Sequence, residues 1–233
     1  FNMKFFDHRI IDINFDSEDV FILKVKPLRG RVLNFKPGQY TRIIIPDHPK
    51  TREHFFSFAS SPENKSYLEF CIRIYGNWTK ALSQLKKGKI IKISSPMGSF
   101  IWKNGIRNAV FIVGGIGISP FMSMLRYIVK KNSIEKITLL YGNRTQQTIS
   151  YKKELEEISK KITLKIIHIF SEEKEKLYIP AYHGFITKKI IEKEIDFSAK
   201  PVIFITGPQV FIEKMLPVLG KIADKEKIKF ELK

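Results

Sequence analysis

A chain of 233 residues holds one large domain or two of roughly 100–130 residues, each able to bury a core. Hydrophobic residues at 43% and charged residues at 27% exclude a disordered or fibrous chain, and one cysteine, Cys71, excludes a disulfide framework, a cysteine-rich zinc site and a four-thiolate iron–sulfur cluster. The formal net charge of +18 points to an anionic partner (phosphorylated cofactor, acidic protein, nucleic acid or membrane surface), against the plainer reading of a solvated lysine-rich exterior.

The N-terminal segment from Phe1 to Arg9 lacks the apolar stretch of a secretory signal. From Asp19 to Lys26 the chain alternates, with Val20, Ile22 and Lys24 on one face and Phe21, Leu23 and Val25 on the other. Pro37-Gly38 suits the centre of a type II turn, because proline presets φ and glycine accepts a positive one. Tyr67–Tyr75 sets Leu68, Phe70, Ile72 and Ile74 against Glu69, Cys71 and Arg73, the period of a half-buried strand. A short helix is expected over Thr79–Leu85. Short strands at this spacing, with few helical patterns, predict a small closed barrel.

After Asn104-Gly105 the rhythm changes. Ala109–Val113, Ile137–Tyr141, Thr163–Ile169 and Val202–Thr206 read as buried parallel strands, rich in β-branched residues. Helical stretches alternate with them at Pro120–Lys131, Tyr151–Lys161, Thr187–Lys193 and Gln209–Ala223, which predicts an α/β layer. The division is placed as 1–104 and 105–233. The apolar run Ala109–Leu125, 17 residues broken by Gly114-Gly115, Gly117 and Pro120, falls short of the ~20 a bilayer span needs. A cytoplasmic protein without a transmembrane segment is expected.

Five segments carry residue types suited to ligand chemistry. Arg52-Glu53-His54-Phe55-Phe56-Ser57 mixes cations, aromatics and a hydroxyl that would stack on a flat ring and bond its edge; taken alone it better suits a barrel strand with aromatic core residues. Arg73, then Tyr75-Gly76-Asn77-Trp78-Thr79, offers a cation, a glycine turn and a helix start, the makings of a phosphate cradle. Val113-Gly114-Gly115-Ile116-Gly117-Ile118-Ser119-Pro120 leads a strand through a glycine turn into a helix, with Ser119 suited to the N-cap and Pro120 to the first helical position. Tyr141-Gly142-Asn143-Arg144-Thr145 lacks the carboxylate that binds a ribose 2′-hydroxyl, and Arg144 either meets a 2′-phosphate or is solvated. Thr206-Gly207-Pro208 ends the last strand at the ligand-binding edge of a parallel sheet.

In this order, the segments resemble the ferredoxin–NADP reductase-like superfamily of FAD-dependent NAD(P)H oxidoreductases, over almost the whole chain. Phe35-Lys36-Pro37-Gly38-Gln39-Tyr40 resembles its Pro-Gly-Gln-Tyr turn, and His54-Phe55-Phe56-Ser57 its flavin motif in the form used by ferric reductases and NADPH oxidases. Phe70-Cys71-Ile72-Arg73 with Gly76–Thr79 resembles the FAD pyrophosphate loop, and Pro96-Met97-Gly98-Ser99-Phe100 the barrel-closing turn. The resemblance implies an N-terminal antiparallel six-stranded FAD-binding β-barrel, then a parallel-sheet nucleotide-binding domain with helices on both faces. It implies that Phe56 packs on the isoalloxazine and that Ser57 bonds near N5, where the hydride arrives. Arg73 and the amides near Trp78 and Thr79, with Arg52, His54, Phe55, Ile72, Tyr75 and Gly76, hold FAD. NAD(P)H falls to Gly115, Gly117, Ser119, Pro120, Asn143, Arg144, Thr206, Gly207 and Pro208, with Ser57 and Thr206 flanking the hydride path.

Three positions depart from the family pattern. His54 stands for the usual arginine, so that its phosphate contact depends on protonation unless Arg52 substitutes. Thr206 replaces a cysteine, and Phe230-Glu231-Leu232-Lys233 stops where many relatives carry an aromatic residue over the flavin. The implied activity passes electrons from NAD(P)H through FAD to an acceptor such as ferredoxin, flavodoxin or another acidic redox protein. The alternative is a non-catalytic flavin-bearing electron-transfer subunit of a larger complex. The lysines do not cluster with aromatic platforms, so no nucleic-acid partner is expected. His8, His48, His54, His168 and His183 lack ligand spacing, so no metal is expected either.

Overall fold

A computed structural model describes residues 3–46, 48, 54–132 and 135–231. Cα packing divides the chain into two compact units, Phe1–Trp102 with Ser119–Tyr127, and Lys103–Ile118 with Ile128–Lys233.

The first unit is an antiparallel sheet of six strands: β1 (Phe5–Ser17), β2 (Val20–Pro27), β3 (Tyr40–Ile44), β4 (His54–Ser57), β5 (Leu68–Arg73) and β6 (Ile90–Ser94), in the order β4-β3-β6-β1-β2-β5. The end strands approach each other where Ala59, just past β4, donates its N–H to the Glu69 carbonyl of β5 (2.8 Å). Helix α1 (Gly76–Ser83) follows β5. As the alternation in β2 requires, Phe21, Leu23 and Val25 are fully buried, packed with Ile10, Ile43, Phe58, Phe70 and Ile91. Each such side chain contributes about 1.5–3 kcal/mol of burial. β5 differs from the half-buried strand its period suggested. Leu68 through Ile72 are buried on both faces, because Ser119–Tyr127 belongs to this unit and meets the polar face: Ser119 Oγ donates to the Cys71 carbonyl (3.1 Å), and Arg126 pairs with Glu69 (2.7 Å).

The second unit is a parallel sheet of β7 (Asn108–Gly114), β8 (Lys136–Asn143), β9 (Thr163–Phe170), β10 (Ala181–His183), β11 (Val202–Thr206) and β12 (Ile228–Phe230), ordered β10-β9-β8-β7-β11-β12. Helices α2 (Ile118–Lys131), α3 (Lys152–Ser159), α4 (Lys188–Glu194) and α5 (Gln209–Ile222) separate the strands. One sheet face carries Val110, Ile112, Leu140, Ile203 and Ile205 against Ile190 and Ile191 of α4 and Ile212, Met215 and Leu219 of α5. On the other face Tyr141 reaches the Ser150 carbonyl (3.5 Å) just ahead of α3. The strand order reverses between β7 and β11, and in open α/β sheets ligands bind outside the carboxyl ends of the strands at such a switch.

The start of α2 corrects one reading. A 3₁₀ turn over Gly115–Gly117 begins the winding early and Gly117 takes the N-cap position, so the helix opens at Ile118 and Ser119 is already inside it. Pro120 is tolerated there because the first-turn N–H groups have no acceptor within the helix in any case.

Candidate functional site

In the first unit two distant motifs dock on each other. Tyr40 and Met97 exchange backbone hydrogen bonds (3.0 and 2.8 Å), and Gln39 Nε2 donates to the Gly98 carbonyl (3.2 Å). The expected turn is closed by Gln39 N–H to the Lys36 carbonyl (3.1 Å). Gly38 has φ +101°, and a Cβ there would lie 2.1 Å from the Phe100 carbonyl oxygen. Beside this turn runs β4, with Ser57 opposite Tyr40 and Phe56 opposite Thr41.

β4 presents His54 and Phe56 to one indole. The imidazole lies 3.9 Å from the Trp78 ring at 17°, and the Phe56 ring 5.9 Å from it at 16°. Phe55 faces the other way, edge-on to Tyr40 at 5.7 Å. Neighbours in sequence, Phe55 and Phe56 therefore stand on opposite faces. Ser57 and Ile72 are both buried, and Ile72 packs its side chain in the core of this unit. Arg52 lies outside the described residues.

At the start of α1, Gly76 has φ +79° with open space where a Cβ would stand. The Thr79 hydroxyl accepts the Tyr75 N–H (2.6 Å) and donates to the Gly76 carbonyl (3.3 Å), fixing the turn. Its first turn has no acidic residue and no side-chain cap. The N–H groups of Gly76, Asn77 and Trp78 have no acceptor within the helix, and the dipole makes this end attractive to an anion. Arg73 flanks it, its Nε 3.3 Å from Asp19 with the side chain about a third exposed. Tyr75 is 88% exposed and offers a ring face. Cation, helix end, cradle and aromatic surface together fit a phosphorylated cofactor with flat rings such as FAD.

In the second unit three motif ends meet at the carboxyl edge of adjacent strands β11, β7 and β8. A Cβ on Gly117 would lie 2.9 Å from the Thr206 carbonyl oxygen and 3.0 Å from the Gly207 nitrogen. One on Gly207 would lie 2.9 Å from Phe211 Cδ1 and 3.1 Å from Gly114 Cα. These glycines thus let the turn after β7 close on the turn after β11, at Thr206-Gly207-Pro208. Gly115, at φ +51°, keeps the turn's backbone bare. Next along the edge, Asn143 is buried, and its Nδ2 has no hydrogen-bond partner among the described residues. An orphaned buried donor at this edge suits a ligand acceptor, as a dinucleotide would supply. Arg144 is exposed beside it. Ser119 and Pro120 fall in the first unit, and the Ser119 hydroxyl is committed to the Cys71 carbonyl.

Three features escaped the sequence reading. The segment after β9 folds onto the one after β8. The Glu173 carboxylate accepts the Gln146 N–H (2.8 Å) and the Glu175 N–H (3.0 Å), and these bonds hold its pKa below the ordinary carboxylate value. Gln146 in turn bonds the backbone of Lys176 and Tyr178. His168, stacked on Phe170, has its pKa lowered to about 4, chiefly by burial and secondarily by Lys152. Glu69 sits in an alternating strand where a surface carboxylate is the natural expectation, and its partner Arg126 is 57 positions away. No local pattern announces such a pair.

The oxidoreductase FAD-binding domain profile matches residues 7–102, and the oxidoreductase NAD-binding domain profile residues 111–216. The reductase component of propane 2-monooxygenase from Rhodococcus jostii (strain RHA1) is 29% identical over 220 residues, covering 91% of this chain and 58% of that protein. Sulfhydrogenase 2 subunit gamma from Pyrococcus furiosus is 29% identical over 201 residues, 84% of this chain and 65% of that one. The FAD/NAD-binding domain of nitric oxide dioxygenase from Vibrio cholerae O1 biovar El Tor shares the fold, with a TM-score of 0.86 at 19% identity over 97% of both chains. The chain spans 58–60% of the length of the propane monooxygenase reductase components it matches. Among the described residues, no helix is long and apolar enough to cross a membrane.

Proposed function

The chain belongs to the ferredoxin–NADP reductase-like flavoprotein reductases, and from that membership we propose that it oxidises NAD(P)H and passes the electrons to a redox protein. FAD, when bound, supplies the redox chemistry, accepting hydride from the nicotinamide and releasing electrons to the acceptor. Residues 1–104 form the FAD-binding part and 105–233 the NAD(P)-binding part. The protein's own work is binding and orientation.

The observation that carries the reading is that each unit gathers its motifs into one place: the Gly76 turn with Arg73 and Tyr75 in the first, and the ends of β11, β7 and β8 in the second. Arg73 and the first-turn amides of α1 take the FAD phosphates. His54, Phe56 and Trp78 form an aromatic wall beside them, and the Ser57 hydroxyl serves the flavin edge. Gly115 and Gly117 carry the pyrophosphate of NAD(P)H. Asn143 Nδ2 and Arg144 meet its ribose end, and Thr206 to Pro208 its nicotinamide end. Ser119 contributes through its backbone, since its hydroxyl is occupied.

The acceptor is an acidic redox protein, supported by the net charge of +18. A single buried cysteine, Cys71, with no second cysteine in the chain to pair with, suits the reducing cytoplasm. Purified protein incubated with FAD and freed of excess is expected to stay yellow; a preparation that remains colourless overturns the reading. A second reading, a non-catalytic electron-transfer subunit, draws support from the likeness to a sulfhydrogenase subunit and from the partial coverage of longer relatives. NADH-driven reduction of a small dye by the isolated chain separates the two, since a pure relay subunit lacks it.

A further inference from the structure

We propose that Arg126 and Glu69 are positioning residues, a buried clamp that fixes the Ser57 hydroxyl for hydride transfer; this rests on the reading that Ser57 serves the flavin. Ser57 ends β4, and the three residues after it are pinned one by one. Phe58 donates its N–H to the Gln39 carbonyl (3.0 Å), and its ring stacks on Phe35 at 4.1 Å. Ala59 and Ser60 both direct N–H groups at the Glu69 carbonyl (2.8 and 3.4 Å), while the Glu69 N–H donates to Ser60 Oγ (3.1 Å). Arg126 closes the arrangement. A single nitrogen, Nη1, donates to the Ala59 carbonyl (2.8 Å) and to Glu69 Oε1 (2.7 Å).

The pair is deeply placed, with the Glu69 side chain 4% exposed and that of Arg126 19%. A second cation, Lys24 Nζ, stands only at 3.9 Å from Oε2. Burying two charges is a poor way to gain stability, because apolar side chains of similar volume commonly do as well or better. An ion pair does what an apolar pair does not when one nitrogen binds a carboxylate and a backbone carbonyl together: it sets where that carbonyl lies. Here the carbonyl is two residues from the Ser57 hydroxyl. Hydride transfer is sensitive to displacements of an ångström or less.

The test is the double variant Arg126→Met/Glu69→Leu, loaded with FAD beside the parent protein. Its thermal midpoint is expected within a few degrees of the parent, with FAD retained. The visible flavin band shifts in the absence of any nucleotide, and anaerobic reduction by NADH slows roughly ten- to a hundredfold with little change in nucleotide KM. Parental spectrum and rate in the double variant would show the pair to be structural only and overturn the clamp. Should the double variant fail to fold, Glu69→Gln is read the same way: a shifted band and several-fold slower reduction support the clamp, and parental behaviour overturns it. A parent protein that takes up no FAD overturns the flavin reading and the clamp with it, so the two failures are told apart.

Discussion

At the scale of single residues, backbone geometry and desolvation set the strongest demands. Gly38 combines φ +101° with a missing Cβ whose place is taken by the Phe100 carbonyl, 2.1 Å away, whereas Gly30 has φ +76° and open space. Gly30→Ala meets only the left-handed penalty and is expected to cost about 1–2 kcal/mol. Gly38→Ala must also push two docked motifs apart and is expected to cost about 3 kcal/mol or more in urea unfolding. Equal costs would contradict the docking of Pro37–Tyr40 on Pro96–Phe100. His168 supplies a pH dependence. Its folded pKa is about 4 against an ordinary 6.5, so the unfolded chain binds the proton first as pH falls. The neutral ring's contribution is complete above pH 6.5 and is lost between 6.5 and about 4. That amounts to roughly 3 kcal/mol, at about 1.4 kcal/mol per pH unit. In His168→Gln the acid-side fall in stability over that window is expected to be smaller by about this amount; an unchanged pH profile contradicts the half-buried, neutral imidazole.

At the scale of elements, what periodicity can express was legible. Val202–Thr206 is the strand its apolar run describes, whereas Thr187, expected as the first residue of a helix to Lys193, instead caps α4 from outside by accepting the Ile190 N–H (3.3 Å). β10 and β12 escaped because each has three residues and lies at a sheet edge, too short to show a period. The Ser119 cap reading failed because capping propensity is local, whereas the 3₁₀ turn before it is allowed by glycines packed on a distant strand. The candidate site was legible as types in order, and its geometry was not: the separation of Phe55 from Phe56, the His54–Trp78 stack and the Arg126–Glu69 pair all depend on partners remote in sequence. The Gly117 contact with Thr206 and Gly207 also makes a prediction. Gly117→Ala is expected to part the two turns by a few tenths of an ångström and slow flavin reduction by NADH roughly tenfold or more, while FAD affinity stays parental. Loss of FAD with nucleotide kinetics intact would contradict the assignment of that edge.

At the scale of the whole molecule, 41 basic residues against 23 acidic ones surround the chain with a positive field. Such a field accelerates encounter with an acidic protein and is screened by salt. Turnover with a ferredoxin or flavodoxin is therefore expected to fall about tenfold between low salt and half-molar salt, while a neutral small-molecule acceptor shows little change. Equal salt profiles would remove the acidic acceptor without touching the flavin chemistry. The central claim is that one chain binds both FAD and NAD(P)H and that the bound nucleotide reduces the flavin. The most direct measurement is an anaerobic titration of the FAD-loaded protein with NADH and, separately, NADPH. The account predicts that at least one nucleotide bleaches the visible flavin absorption stoichiometrically; flavin that stays fully coloured under excess of both would contradict it.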